Sequence, residues 1–257
     1  TRRSSDLSVL VDALVRQSYE PDGTGLAESE EYLKVLTEKG RREAQTQTYF
    51  FSLPYDTVSV VRATIYKPDG HCTTVDVARA SRVMTDTSQM SANIYDPNRK
   101  VLHLSLAGVE IGDLIHCATS QRTFKPRVPD TWSDYTLFEF AVPIRRMTYA
   151  VAAPRARPLR HMRLRAPIAS TVAYRKDAGA DGRDLHVWKV RDVPQIFKEP
   201  NMPPVHTVAQ RLLLSTAQDW PALSRCYWEL CQPRLAAVTP AMKETVAGLA
   251  RPGDAHD

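Results

Sequence analysis

The sequence predicts a mainly β fold: a large antiparallel β-sandwich-like body with short helices at the amino and carboxy termini. Three observations point there. About ten strand-like segments follow one another between residues 28 and 193, most of them separated by Pro, Gly, Asp and Lys. No alternation of strand and helix patterns runs through them, which excludes a doubly wound parallel sheet. Eighteen prolines against ten glycines favour turns, strand ends and stiff connections over long helices.

The elements follow in chain order. Leu7, Leu10, Val11, Leu14 and Val15 recur at helical spacing and predict a helix over 6–17. "YEPDGTG" breaks it, so residues 1–25 read as a helix and linker. Segments 28–37 and 41–53 read as an antiparallel pair around "EKGR", with Gly40 available for a positive φ. Segments 56–66 and 71–79 form the clearest hairpin, turning at Asp69-Gly70. Strict alternation in its first strand puts Val58, Val60, Arg62, Thr64 and Tyr66 on one face and Val61, Ala63 and Ile65 on the other. Residues 81–100 read as irregular, ending in a turn at 96–99. Strand 100–107 sets Leu102, Leu104 and Leu106 on one side. Segments 109–125, 133–142, 144–154, 159–167, 170–177 and 183–193 complete an antiparallel domain over 26–193.

Residues 194–257 differ. A proline-rich connector (194–207) leads to one more strand (208–216). Asp219, or Ser215 or Thr216 before it, is placed to cap a helix over about 220–232 that Pro233 stops. Thr239-Pro240 opens a second helix over 240–250.

Composition sets the outer limits. The 257 residues are 43% hydrophobic and 25% charged, ordinary for a folded domain. The net charge of +5 and pI near 9.0 permit an acidic partner without requiring one. No stretch approaches the ~20 apolar residues of a membrane span. The basic start, interrupted by Asp6 and Asp12, is not a signal peptide. Four cysteines do not make a disulfide scaffold.

Candidate chemistry is sparse. "LSTAQDWPALSRCYWELCQP" carries Cys226 and Cys231. Five residues apart on one helix, they lie roughly 140° around the axis and cannot bridge. A nucleophilic cysteine needs a positioned base, and the one histidine after them is His256 in the tail, with His206 upstream beyond the connector. Both cysteines therefore read as packing residues. His71-Cys72 and His116-Cys117 suggest zinc, or a cross-strand disulfide, if their strands are neighbours. Adjacent strand residues face opposite ways, however, so one His-Cys pair cannot ligate a single ion. The run Arg155, Arg157, Arg160, Arg163 and Arg165, near Arg145 and Arg146, is a candidate anion-binding stripe. Its poor interleaving with aromatics argues against nucleic acid, and a solvated strand face explains it equally well. Asp113 or Glu139 could be paired in space. No phosphate-cradling loop, nucleophile elbow, dinucleotide fingerprint or H-E-x-x-H motif is present, so no catalytic residue, metal or cofactor is assigned.

Five phrases occur in a telling order: "YLKVLTEKGRREAQTQTYFF", "YDTVSVVRATIYKPDG", "GVEIGDLIH", "DVPQIFKEPNMPP" and "LLLSTAQDWPALSRCYWEL". Over about 28–232 the chain resembles the uncharacterised bacterial domain that precedes transglutaminase-like, papain-type cores in Gram-negative exported proteins. That resemblance implies a non-catalytic accessory module and a periplasmic or exported location. The Cys, His and Asp of such a core would lie in a domain beyond Asp257, and Cys226 and Cys231 do not correspond to its nucleophile. Where relatives commonly carry Trp this chain has Cys226, which suggests a buried, space-filling position. The partners implied are a carboxy-terminal transglutaminase-like domain or a peptide or cell-envelope ligand. Two other readings compete: a polyanion-binding module using the 145–165 arginines, and a stand-alone hydrolase with an unrecognised site.

Overall fold

The structure, a computed structural model, describes residues 7–93, 95–164, 171–179, 181–197 and 199–249. It divides into two compact units at Thr216/Ala217. The first unit contains β1 (Ser8–Tyr19), β2 (Gly25–Val35), α1 (Glu38–Ala44), β3 (Thr46–Ser52), β4 (Asp56–Tyr66), β5 (Cys72–Thr74), α2 (Val77–Ala80), β6 (Ser81–Thr85) and a 3-10 helix (Ser88–Ala92). It continues with β7 (Arg99–Ser105), β8 (Leu114–Thr123), β9 (Ser133–Leu137), β10 (Ile144–Pro154), β11 (Arg160–Leu164), β12 (Ala173–Ala178), β13 (Arg183–Val193), α3 (Val205–Val208) and β14 (Arg211–Ser215). The fold is mainly β with short helices, a sandwich-like body as the sequence predicts.

One large sheet runs in the order β12-β13-β10-β1-β2-β8-β4-β5. Two three-stranded sheets, β11-β14-β9 and β3-β7-β6, pack on it. The pairs Ala13↔Glu31 and Glu31↔Cys117 put one face of β1, β2 and β8 in register. That face serves two cores. Ala13, Tyr149, Val151, Trp188 and Val190 meet Leu212 and Leu214 of β14. Val35, Val60, Ala63, Ile65 and Ile115 meet Phe51, Leu102 and Leu104 of β3 and β7. Both small sheets therefore cover the same face of the large one.

Five expectations are corrected. The helix over 6–17 is strand β1, held centrally between β2 and β10. A register shift between Leu10 and Asp12 interrupts the two-residue alternation, which is why its apolar residues imitate helical spacing. The pairing of β1 with β10 is parallel, so the body is not purely antiparallel. Segments 28–37 and 41–53 do not pair: α1 intervenes, capped by Thr37, and β3 joins β7 instead. In β4 a shift between Val60 and Arg62 moves Val60 onto the same core as Ala63 and Ile65. Residues 81–85 and 88–92, read as irregular, are β6 and the 3-10 helix.

The phrases "KPDG" and "GVEIGD" prove to be two halves of one joint. The hairpin turn reaches Gly70 at φ 92°, and Lys67 Nζ leaves it to donate to Gly108 O (2.7 Å), Asp113 Oδ2 (2.8 Å) and Glu110 Oε2 (3.2 Å). Asp113, with a fully buried side chain, also accepts from Glu110 N at 2.7 Å. Glu139 is committed too, accepting from Gln210 N at 2.7 Å.

The second unit carries α4 (Trp220–Ala236) and α5 (Pro240–Leu249). Asp219 caps α4 by accepting from Ala222 N at 2.7 Å, and Thr239 caps α5 through Met242 N at 3.2 Å. Pro233 does not stop α4, which runs on to Ala236 at the loss of one helical donor.

Candidate functional site

The two cores are separated by a polar seam on the covered face of β1, β2 and β8. Gln17 stands opposite Ala27, and Ala27 opposite Gln121; one row further lie Ser29 and Thr119, then Glu31 and Cys117. Strand alternation fixes these side chains on the inner face. Burial raises the proton affinity of Glu31 and pushes the Cys117 thiol up to about 11. Tyr49 engages that thiol and is itself raised, mainly by burial.

At one end the seam opens into a cleft. One lobe, of about 410 Å³, is lined by Gln17, Tyr55, Gln121, Arg127, Trp132 and Asp134, among others. The second, of about 850 Å³, is lined by Phe50, Ser52, Arg99, Tyr135 and Leu213, among others. The lobes share Asp56, Gln121, Arg127, Ser133 and Asp134, so they form one continuous depression.

Its most distinctive group is Asp134. Gln17 Nε2 donates to Oδ2 at 2.7 Å and Tyr149 OH donates to the same oxygen at 2.5 Å. The Tyr135 amide donates to Oδ1 at 2.8 Å. Burial nonetheless outweighs these donors and raises the Asp134 carboxyl above its ordinary range. Tyr149 is raised far above the usual phenol value by burial first, then by the Asp134 charge. The wall is rigid. Trp132 stacks on Tyr19 (4.8 Å between centroids, 13° between planes), and its amide donates to Thr216 Oγ1 at 2.9 Å. Asp56 Oδ1 accepts from Ser52 N at 2.8 Å. Arg127 lies 4.4 Å over the Tyr55 ring, an arrangement that leaves guanidinium donors for a ligand.

The raised carboxyl gives a signed pH expectation. The folded chain holds the Asp134 proton more tightly than the unfolded chain. Its contribution to stability is therefore fully present below the ordinary value of 3.8 and is lost as pH rises through the raised folded value. Paired urea unfolding of wild type and Asp134→Asn from acid to neutral pH should show the variant gaining relative stability as pH rises. A relative loss over that window would mean that the three donors outweigh burial.

The residues singled out in the sequence lie elsewhere. Arg145 pairs with Asp192 (3.0 Å) and Arg146 with both oxygens of Asp12 (2.8 and 2.6 Å). Arg155 holds Asp184 (2.9 Å) and Gly179 O (3.1 Å). Arg157 donates to Asp130 O and Arg163 to Val172 O, each at 3.1 Å. Arg160 sits on β11 opposite Ser215, whereas Arg145 and Arg146 belong to the large sheet. Arg165 lies outside the described residues. Two sheets and a loop thus share these arginines, most of them already committed to acceptors of the chain.

Cys72 faces Tyr66 and Cys117 faces Ala63, so β4 stands between the two thiols and all four cysteines are free. His71 contacts Asp69 at 3.1 Å, whereas His116 stacks on Tyr32 at 4.4 Å. Among the described residues no three His, Cys, Asp or Glu side chains converge as a metal site requires. Cys226 and Cys231 are half-exposed on α4, which has no buried residue. The expectation that they are buried packing positions is corrected, since α4 has no core of its own to put them in. Cys231 lies one helical turn after Tyr227 and raises that phenol above its ordinary value.

Asp134, Gln17 and Tyr149 were not singled out in the sequence. The one available signal was an amide, Gln17, on the face of β1 that otherwise carries Ala13, Val15 and Tyr19.

The family model of DUF3857, a domain of unknown function with solved structure, matches residues 21–197. Among solved structures, a candidate protease from Parabacteroides distasonis superposes with a TM-score of 0.78 at 16% identity. The match covers 97% of this chain and 47% of that one, so the chain spans about half the length of the structure it matches. At that identity the likeness is one of fold. An M1 zinc metallopeptidase from Deinococcus radiodurans (TM-score 0.40, 9% identity, 80% and 42% covered) is too remote to argue from. So is a CBM3a-L domain of a Clostridium thermocellum scaffoldin (0.27, 11%, 48% and 72%). No curated protein matches the chain in sequence.

Proposed function

The chain belongs to the DUF3857 family, and from that premise we propose that it is a non-catalytic accessory module whose cleft binds a polypeptide ligand. In this reading it serves a transglutaminase-like, cysteine-peptidase-type core in an exported or periplasmic bacterial protein and positions substrate for that core. The observation that carries the reading is the cleft itself. It combines a carboxyl, amides, a stacked guanidinium and exposed aromatics over a rigid sheet floor, a mixture suited to amide groups and alternating side chains.

Cys117 gives a catalytic reading no support, since it is buried with its proton held tightly. A nucleophile needs the opposite: an accessible sulfur beside a base.

The test has two arms. Purified chain is assayed for amidase, peptidase and amine-transfer activity beside the Cys226→Ala, Cys231→Ala double variant, and no thiol-dependent turnover is expected; turnover lost in the double variant would overturn the non-catalytic assignment. Unfolded casein fragments are then titrated against wild type and Gln121→Trp, which fills the cleft floor. Binding that is weakened in the variant supports the site; equal binding removes it.

A further inference from the structure

Among the described residues the three sheets end in six edge strands: β12, β5, β11, β9, β3 and β6. An unpaired edge presents backbone donors and acceptors to any extended chain, and folded proteins guard such edges with Lys, Arg, Pro or brevity. Four of the six are guarded. Arg175 and Lys176 lie on β12, Arg160 and Arg163 on β11, and Arg82 on β6, and β5 is 3 residues long. The other two are not. β3 reads "TQTYFFS" and β9 reads "SDYTL", without Lys, Arg or Pro. The one charge between them, Asp134, is tied down by Gln17 and Tyr149. The Tyr135 and Ser52 amides already donate to Asp134 Oδ1 and Asp56 Oδ1, so an added strand would pair with the other backbone groups of these edges.

These same two edges face one cavity. The 850 Å³ lobe is lined by Phe50, Phe51 and Ser52 of β3 and by Ser133, Asp134 and Tyr135 of β9, with Gln121 of β8 beneath. We propose that an extended peptide enters this lobe by strand addition, pairing through its backbone with β3, β9 or both and continuing the small sheets across the gap.

Side chains along the lobe suit alternate residues of such a strand. Phe50 (53% exposed), Tyr135 (60%) and Leu213 (39%) offer apolar contacts, while Gln121 and Ser133 offer polar ones. Arg127 carries no ion pair among the described residues and stacks on Tyr55 where the two lobes meet. It is placed to take a carboxylate of the peptide, an acidic side chain or the chain terminus. The ligand class is therefore an extended peptide of alternating apolar and polar side chains bearing a carboxylate. This inference rests on the reading of the cleft as a polypeptide site and specifies its mode.

The test uses an acetylated alternating threonine–valine peptide of about 6 residues, the length of a typical strand, with a free terminal carboxylate. Affinity is measured by calorimetry and location by amide chemical shifts. Shifts at Gln121 and Ser133 are expected. Methylating alternate peptide nitrogens should weaken binding more than about tenfold, because ladder hydrogen bonds are lost. Amidating the terminus, or Arg127→Gln, should each weaken it about tenfold. If the methylated peptide binds equally well with the same cleft shifts, strand addition is wrong and the cleft reading stands. If the parent peptide fails to bind, or shifts residues away from the cleft, both are wrong. Unchanged affinity in Arg127→Gln overturns the carboxylate assignment.

Discussion

Gly40→Ala should destabilise the chain by about 3 kcal/mol or more, the scale of a forced overlap in a packed interior. A Cβ at this position would stand 1.9 Å from Leu7 O and 2.6 Å from its carbonyl carbon. That carbonyl cannot retreat cheaply. It accepts from Leu36 N at 3.1 Å and from Thr37 Oγ1 at 3.3 Å. The direction makes the test informative, because alanine in a helix is ordinarily preferred over glycine by about 1 kcal/mol, and Gly40 is helical. Urea unfolding beside the exposed neighbour Lys39→Ala isolates the effect. Lys39→Ala should stay within about 0.5 kcal/mol of wild type, and a Gly40→Ala variant equally close would contradict the packing of α1 on the start of β1. That packing has a functional consequence, since α1 leads directly into β3, one wall of the cleft.

Lys67→Met should cost about 2 kcal/mol, the penalty of leaving a buried acceptor short of its donor. Asp113 would keep the Glu110 amide but lose the ammonium that now bridges it to Gly108 O. Asp113→Asn should cost less, because the amide oxygen still accepts from Lys67 and from Glu110 N. Raised salt should change the difference little, since the Asp113 side chain is shielded from solvent. Thermal unfolding of the two variants at low and high salt checks the order. If Asp113→Asn proves the more damaging, the net charge of the pair matters more than the donor.

How far the sequence could carry this fold depends on how local each feature is. The β4–β5 hairpin was legible because Asp69-Gly70 states its turn and Gly70 takes the required φ. The leucine alternation of β7 was legible for the same reason, a period contained within seven residues. β1 imitates a helix in sequence because one register shift at Leu10/Asp12 gives a strand the spacing of a helix. α1 does carry local signals. Thr37 caps Gly40 N (3.2 Å), and Glu38 pairs with Arg41 and Arg42, but a glycine in sequence suggests a turn, whereas the real constraint on Gly40 is the approach of Leu7. The parallel pairing Ala13↔Met147 has no local signature at all. The cleft shares that difficulty. Gln17 and Asp134 are 117 residues apart, and only the stacking of two small sheets on one large face makes them neighbours. The arginine run shows the opposite relation: it is conspicuous in sequence, yet the fold distributes its described members over two sheets and a loop.

Amide-resolved hydrogen exchange of the chain, with and without the strand-length threonine–valine peptide, tests the central claim most directly. Slowed exchange confined to 46–52 and 133–137, with the guarded edges β6, β11 and β12 unchanged, is the result expected of a module that holds polypeptide in its inner cleft. Protection at those guarded edges or along α4 instead, with β3 and β9 exchanging as before, would contradict it.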